Sequence, residues 1–135
     1  MHSRDVPIVL TRPPRYRRNP TSDWEEAHAN LRDAAAEIFA VLGVTSPELV
    51  VPPLANQDYW TLWSGSKDGI EYEVRYGEGQ HASEFPFWIW VGLAGRAGWS
   101  DRLPDEAHSV AAKLIEHGYA CMVRGYVSAT SEGGL

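Results

Sequence analysis

Hydrophobic positions along this chain follow two periods, and the switches between them mark the elements. From Trp24 to Leu42 the apolar residues Trp24, Ala27, Leu31, Ala35, Ile38, Phe39 and Leu42 recur at helical steps, which predicts a helix with one buried stripe. Glu25, Glu26, Asp33 and Glu37 fall off that stripe. Ser22 and Glu25 have the spacing of a capping box, and Gly43 stands where a helix stop belongs. A second helix is predicted to begin near Pro104, with Asp105 and Glu106 in its first turn. It continues through Ala107, Val110, Ala111 and Leu114 to a stop at Gly118.

Between the helices the period shortens to two. In IEYEVRY (70–76), Ile70, Tyr72, Val74 and Tyr76 take one face, while Glu71, Glu73 and Arg75 take the other, so this strand belongs to a sheet with one wet face. DYWTLWS (58–64) precedes it across GSKDG, an Asp-Gly hairpin signal. The register of that first strand stays open. One residue more or less in the turn exchanges Trp60 and Leu62 with Tyr59, Thr61 and Trp63. The next strand, in FPFWIWVGLAG (85–95), is apolar on both sides: Phe85, Phe87, Ile89 and Val91 point one way, Trp88 and Trp90 the other. YACMVRGYV (119–127) reads as the last strand.

The remaining segments read as connections. VPIVLT (6–11) is a short extended stretch that Pro7 assigns to a sheet edge, and RPPRYRRNP after it is polyproline-like. TSPELVVPPLANQ (45–57) is a proline-rich connection, and GEGQHASE (77–84) is a polar loop. The predicted architecture is a single α+β domain over residues 22–127, in the order α-β-β-β-α-β. Its antiparallel sheet has about four strands, with two helices on one face. A basic, proline-rich arm (1–21) precedes it and a flexible tail (128–135) follows.

Charge sharpens this division. Residues 1–20 hold five Arg against Asp5, a balance of +4; the other 115 residues hold seven basic and 17 acidic groups, a balance of −10. An acidic body favours basic partners and argues against nucleic acid and anionic membranes. No apolar run approaches the ~20 residues of a membrane helix, and the opening residues do not form a signal peptide. Cys121 is the single cysteine, so no internal disulfide forms and a cytoplasmic location is expected.

Candidate chemistry is sparse. Glu78, His81 and Glu84 offer ligand types that zinc or iron accepts, but Gly77 and Gly79 argue against a helix that would fix their geometry. They mark the alternative reading, a small enzyme or metal-binding protein built on this loop. His108 and His117 lie on opposite sides of the second helix, and His28 lies beside the apolar stripe of the first. Gly92, Gly95 and Gly98 match neither the dinucleotide fingerprint nor a P-loop. No serine stands in a nucleophile elbow, and Cys121 has no activating neighbour in sequence. The expectation is therefore a non-enzymatic protein-binding module without a cofactor.

If both helices cover the Ile70–Tyr76 side, the opposite face presents Glu71, Glu73 and Arg75 beside one aromatic row, either Trp88 and Trp90 or Phe85, Phe87 and Ile89. The tryptophan pair is taken with the three charged residues as the contact for a basic protein. The competing expectation is that the N-terminal segment or the 45–57 connection folds over that face. The element order resembles that of small secretion-chaperone-like α+β proteins, which bind polypeptides across a sheet and helices. In size and acidity the chain is similar to bacterial immunity proteins that block toxins. Each resemblance spans about residues 22–127 and implies a binder, chaperone-like in the first case and inhibitor-like in the second.

Overall fold

A computed structural model describes residues 6–14, 24–45, 47–50, 62–77, 84–95 and 102–126. The elements in chain order are β1 (Val6–Arg12), α1 (Trp24–Leu42), β2 (Glu48–Val50), β3 (Leu62–Lys67), β4 (Ile70–Tyr76), β5 (Phe87–Leu93), α2 (Arg102–Glu116) and β6 (Ala120–Tyr126). The strands form one antiparallel sheet in the order β2-β3-β4-β5-β1-β6. The class is α+β, as predicted. The expected four strands are enlarged to six, and the order α-β-β-β-α-β becomes β-α-β-β-β-β-α-β.

Both additional strands come from segments that proline disguises. β2 is a three-residue edge strand inside the predicted 45–57 connection. β1 is not the edge strand that Pro7 suggested, because it lies between β5 and β6 and pairs with both. Pro7 is tolerated because pairing with β5 begins only at Ile8; across Ile8–Thr11 each N–H faces a neighbouring strand. Ile8, Val9 and Leu10 are all buried, which explains why this short run is apolar on both faces.

The β3–β4 hairpin turns on Asp68 and Gly69, both at positive φ (54° and 82°). This two-residue turn pairs Lys67 with Ile70 and so settles the open register: Trp63 pairs with Val74 and faces the helices. Gly65 follows it on the same face. A Cβ there would stand 2.6 Å from Val44 Cγ1 and 3.4 Å from Phe39 Cε1, so its absence lets the end of α1 settle against the strand.

α1 lies over β3 and β4, while α2 lies over β1, β5 and β6 and also touches α1. Their apolar stripes, centred on Leu31, Ile38 and Phe39 in α1 and on Ala107, Val110 and Leu114 in α2, close on Val9, Ile70, Val74, Phe87, Ile89 and Val91. Each large side chain fully buried here contributes roughly 1.5–3 kcal/mol. Both helices end in the motif that a glycine stop implies. Val44 N–H donates to Phe39 C=O (2.9 Å) around Gly43 at φ 75°, and Tyr119 N–H donates to Leu114 C=O (3.0 Å) around Gly118 at φ 90°.

Two tyrosines of β4 tie the layers together. Tyr76 donates to Ala27 C=O (2.5 Å) and accepts from Asn30 Nδ2 (3.1 Å), while Tyr72 donates to Glu106 Oε2 (2.6 Å). Burial first, then this carboxylate, pushes the Tyr72 hydroxyl well above the usual phenol range and keeps it a neutral donor. The Ser22 cap, residues 51–57 of the connection, the Tyr59–Thr61 part of the predicted first hairpin strand and the 128–135 tail lie outside the described residues.

Candidate functional site: the sheet face opposite the helices

With Phe87, Ile89 and Val91 turned to the helices, strand alternation sends Trp88 and Trp90 to the other face. The register then assembles their neighbours. Glu73 lies opposite Trp90, Arg75 opposite Trp88, and Glu71 opposite Gly92. All five residues picked from the sequence (Glu71, Glu73, Arg75, Trp88 and Trp90) therefore share one face. The Arg75 guanidinium carbon sits 4.2 Å from the Trp90 ring centroid, and the two indoles are tilted with centroids 6.4 Å apart. A cation over an indole contributes about 0.5–2 kcal/mol, depending on exposure.

Several members of this face were not anticipated, because they come from strands the sequence reading did not place there. Continuing the Glu73–Trp90 pair across the sheet gives the row Glu48, Ser64, Glu73, Trp90, Ile8 and Arg124. The next row carries Arg75, Trp88, Leu10 and Met122. The face is thus graded: carboxylates and hydroxyls over β2–β4, an aromatic and aliphatic centre over β5 and β1, and Met122 and Arg124 at the β6 edge. Strand geometry puts Ile8 with Leu10, and Met122 with Arg124, on one side of their own strands, but which strands adjoin is a long-range property.

The tryptophans are half-buried rather than prominent. Ile8 and Leu10 are fully buried beneath Phe85, Trp88, Trp90 and Met122. Phe85 precedes the regular strand, so it escapes the alternation and joins the tryptophan side instead of the Phe87 side. The two candidate covers fare differently. Of the N-terminal segment, Val6–Arg12 enters the sheet as β1, and the connection contributes β2 at the far edge; residues 1–5, 15–21 and 51–57 lie outside the described residues. Among the described residues the only large apolar side chains that stand exposed are Leu49 on β2 and Ile115 on α2.

Beside Trp90 the face is indented. Trp88, Trp90 and position 92 project from it in sequence, and the third of these is Gly92, where an added Cβ would meet open space. The resulting half-open pocket, about 160 Å³, is lined by Glu71, Glu73, Trp90, Val91 and Gly92. Ser64 Oγ donates to Glu71 Oε2 at 3.2 Å and orients that carboxylate. Burial holds the Glu73 carboxyl above its ordinary value; Arg75 pulls against this and Glu71 adds to it.

The other candidates come to less. Glu84 is exposed, while Glu78 and His81 lie outside the described residues. His28 is half-buried, His108 and His117 are exposed, and His117 Nδ1 lies 2.9 Å from Lys113 C=O. Among the described residues no three metal-ligating side chains converge. Cys121 lies beside Thr11 Oγ1 at 3.3 Å, and burial pushes its thiol up, the opposite of what a nucleophile needs. No described helix is long and apolar enough to cross a membrane. No protein-family model, curated protein or solved structure matches the chain.

Proposed function

We propose that this chain is a non-enzymatic protein-binding module, of the inhibitor or chaperone kind, that holds a basic protein on the sheet face opposite its helices. The observation that carries this reading is the shared register of Glu71, Glu73, Arg75, Trp88 and Trp90, extended by Glu48 into an acidic field flanking an aromatic centre. Acidic groups on a protein of net charge −6 steer basic partners toward contact. Tryptophan then supplies the desolvated area that makes a contact persist. Half-buried indoles suit this role, because their orientation is set before the partner arrives and little side-chain entropy is lost on binding. A cytoplasmic setting goes with this proposal.

The test is comparative capture from a lysate of the protein's own host, followed by identification of what is retained. Trp90→Ala and the double reversal Glu71→Lys/Glu73→Lys should each lose a basic partner that the wild type and His108→Gln retain, with folding checked by circular dichroism. If the same basic protein is retained by all four proteins, the contact lies elsewhere.

A further inference from the structure

Resting on that reading, we infer that the indentation at Gly92 is a subsite for one arginine side chain of the partner. Three features select this ligand. Glu71 and Glu73 stand two residues apart on one strand and face the same side, so they bracket the opening with two acceptors. A guanidinium, with five donors in a planar fork, can satisfy both; a lysine ammonium is a compact, strongly hydrated point charge. One wall of the opening is the Trp90 indole, and this chain already shows that the ring accepts a guanidinium, since the Arg75 guanidinium carbon sits 4.2 Å from its centroid.

The third feature is the gap itself. The pocket exists because the residue that follows Trp88 and Trp90 on the same face of β5 has no side chain, and nothing lies within 4 Å of where its Cβ would be. Its volume of about 160 Å³ admits the end of one long side chain and not a folded segment. The Ser64 hydrogen bond to Glu71 holds one acceptor in place, and Glu48 on β2 adds negative charge to the approach from that side. A cation entering here also relieves the Glu71–Glu73 repulsion.

The full-length chain, labelled with 15N-tryptophan, can be titrated with acetylated, amidated hexa-arginine and hexalysine at about 0.15 M salt. The Trp90 indole N–H is assigned by its loss in Trp90→Phe. Hexa-arginine should shift this resonance saturably and bind more tightly than hexalysine. Gly92→Leu should weaken hexa-arginine binding about tenfold while leaving hexalysine little changed. Because Gly92→Leu keeps every charge, non-specific attraction of a polycation to an acidic protein would be insensitive to it. Gly92→Ala, a smaller change, should give an intermediate loss and serves if the leucine variant does not fold. Unchanged hexa-arginine affinity in both Gly92 variants would overturn the subsite, as would equal affinity for the two peptides. Either result leaves the wider face to be judged by the Trp90→Ala and charge-reversal captures, so the two proposals fail separately.

Discussion

Glu73 shows how a single side chain links this face to the stability of the fold. Burial is the first cause of its raised carboxyl pKa, with Arg75 opposing and Glu71 reinforcing. Its row runs through Ser64 on β3 to Glu48 on β2 in one direction, and through Trp90 and Ile8 to Arg124 in the other. The folded protein therefore holds this proton more tightly than the unfolded chain does. The group favours the fold most below its unfolded value, about 4.3, and that contribution is lost as pH rises through the raised folded value. Glu73→Gln removes the penalty of burying an anion. Thermal melts across pH should show Glu73→Gln melting above the wild type at pH 7, with the difference shrinking to nothing toward pH 4. A difference that does not change with pH would mean that ionisation of Glu73 is not what limits stability here.

Among the elements, the contact of α1 with β3 depends on one missing methyl group. Alanine in place of glycine within a strand ordinarily stabilises by about 0.5–1 kcal/mol through chain entropy. At Gly65 the added carbon would stand 2.6 Å from Val44 Cγ1, on the stiff, buried side chain of a residue whose backbone N–H completes the α1 stop. Overpacking of this kind costs about 1–3 kcal/mol and should win. Urea denaturation should show Gly65→Ala less stable than the wild type by about 1 kcal/mol or more. Gly92→Ala, with open space at its Cβ, should be neutral or slightly stabilising. A stabilised Gly65→Ala would mean that α1 does not approach β3 this closely.

For the whole molecule, the position of β1 matters most. It joins β5 to β6, contacts α2, and buries Ile8, Val9 and Leu10 completely. At roughly 1.5–3 kcal/mol each, those three side chains alone approach the 5–15 kcal/mol that stabilises a typical domain. Removing residues 1–12 would also leave β5 and β6 with unpaired facing edges. This deletion should abolish the cooperative thermal transition rather than trim an appendage, as circular dichroism and calorimetry would show. Retention of a cooperative melt near the wild-type temperature would refute the central position of β1.

The sequence by itself determined the two helices, their glycine stops, the Asp68-Gly69 hairpin and the division of IEYEVRY into a helix-facing and a charged side. Each is a local property, set by residues within a few positions of one another. It also identified Glu71, Glu73, Arg75, Trp88 and Trp90 as candidates for one face, because alternation is local too. Only the tertiary structure decided which strands adjoin. Pro7 argued for an edge, yet the burial gained by Ile8, Val9 and Leu10 in the centre outweighs one absent N–H where pairing with β5 has not begun. That placement seats Ile8 and Leu10 beneath the tryptophans, and the pairing of Glu71 with Gly92 makes an absent side chain into a pocket. Strand adjacency is set by burial summed over the whole chain, and no short stretch of residues contains that sum.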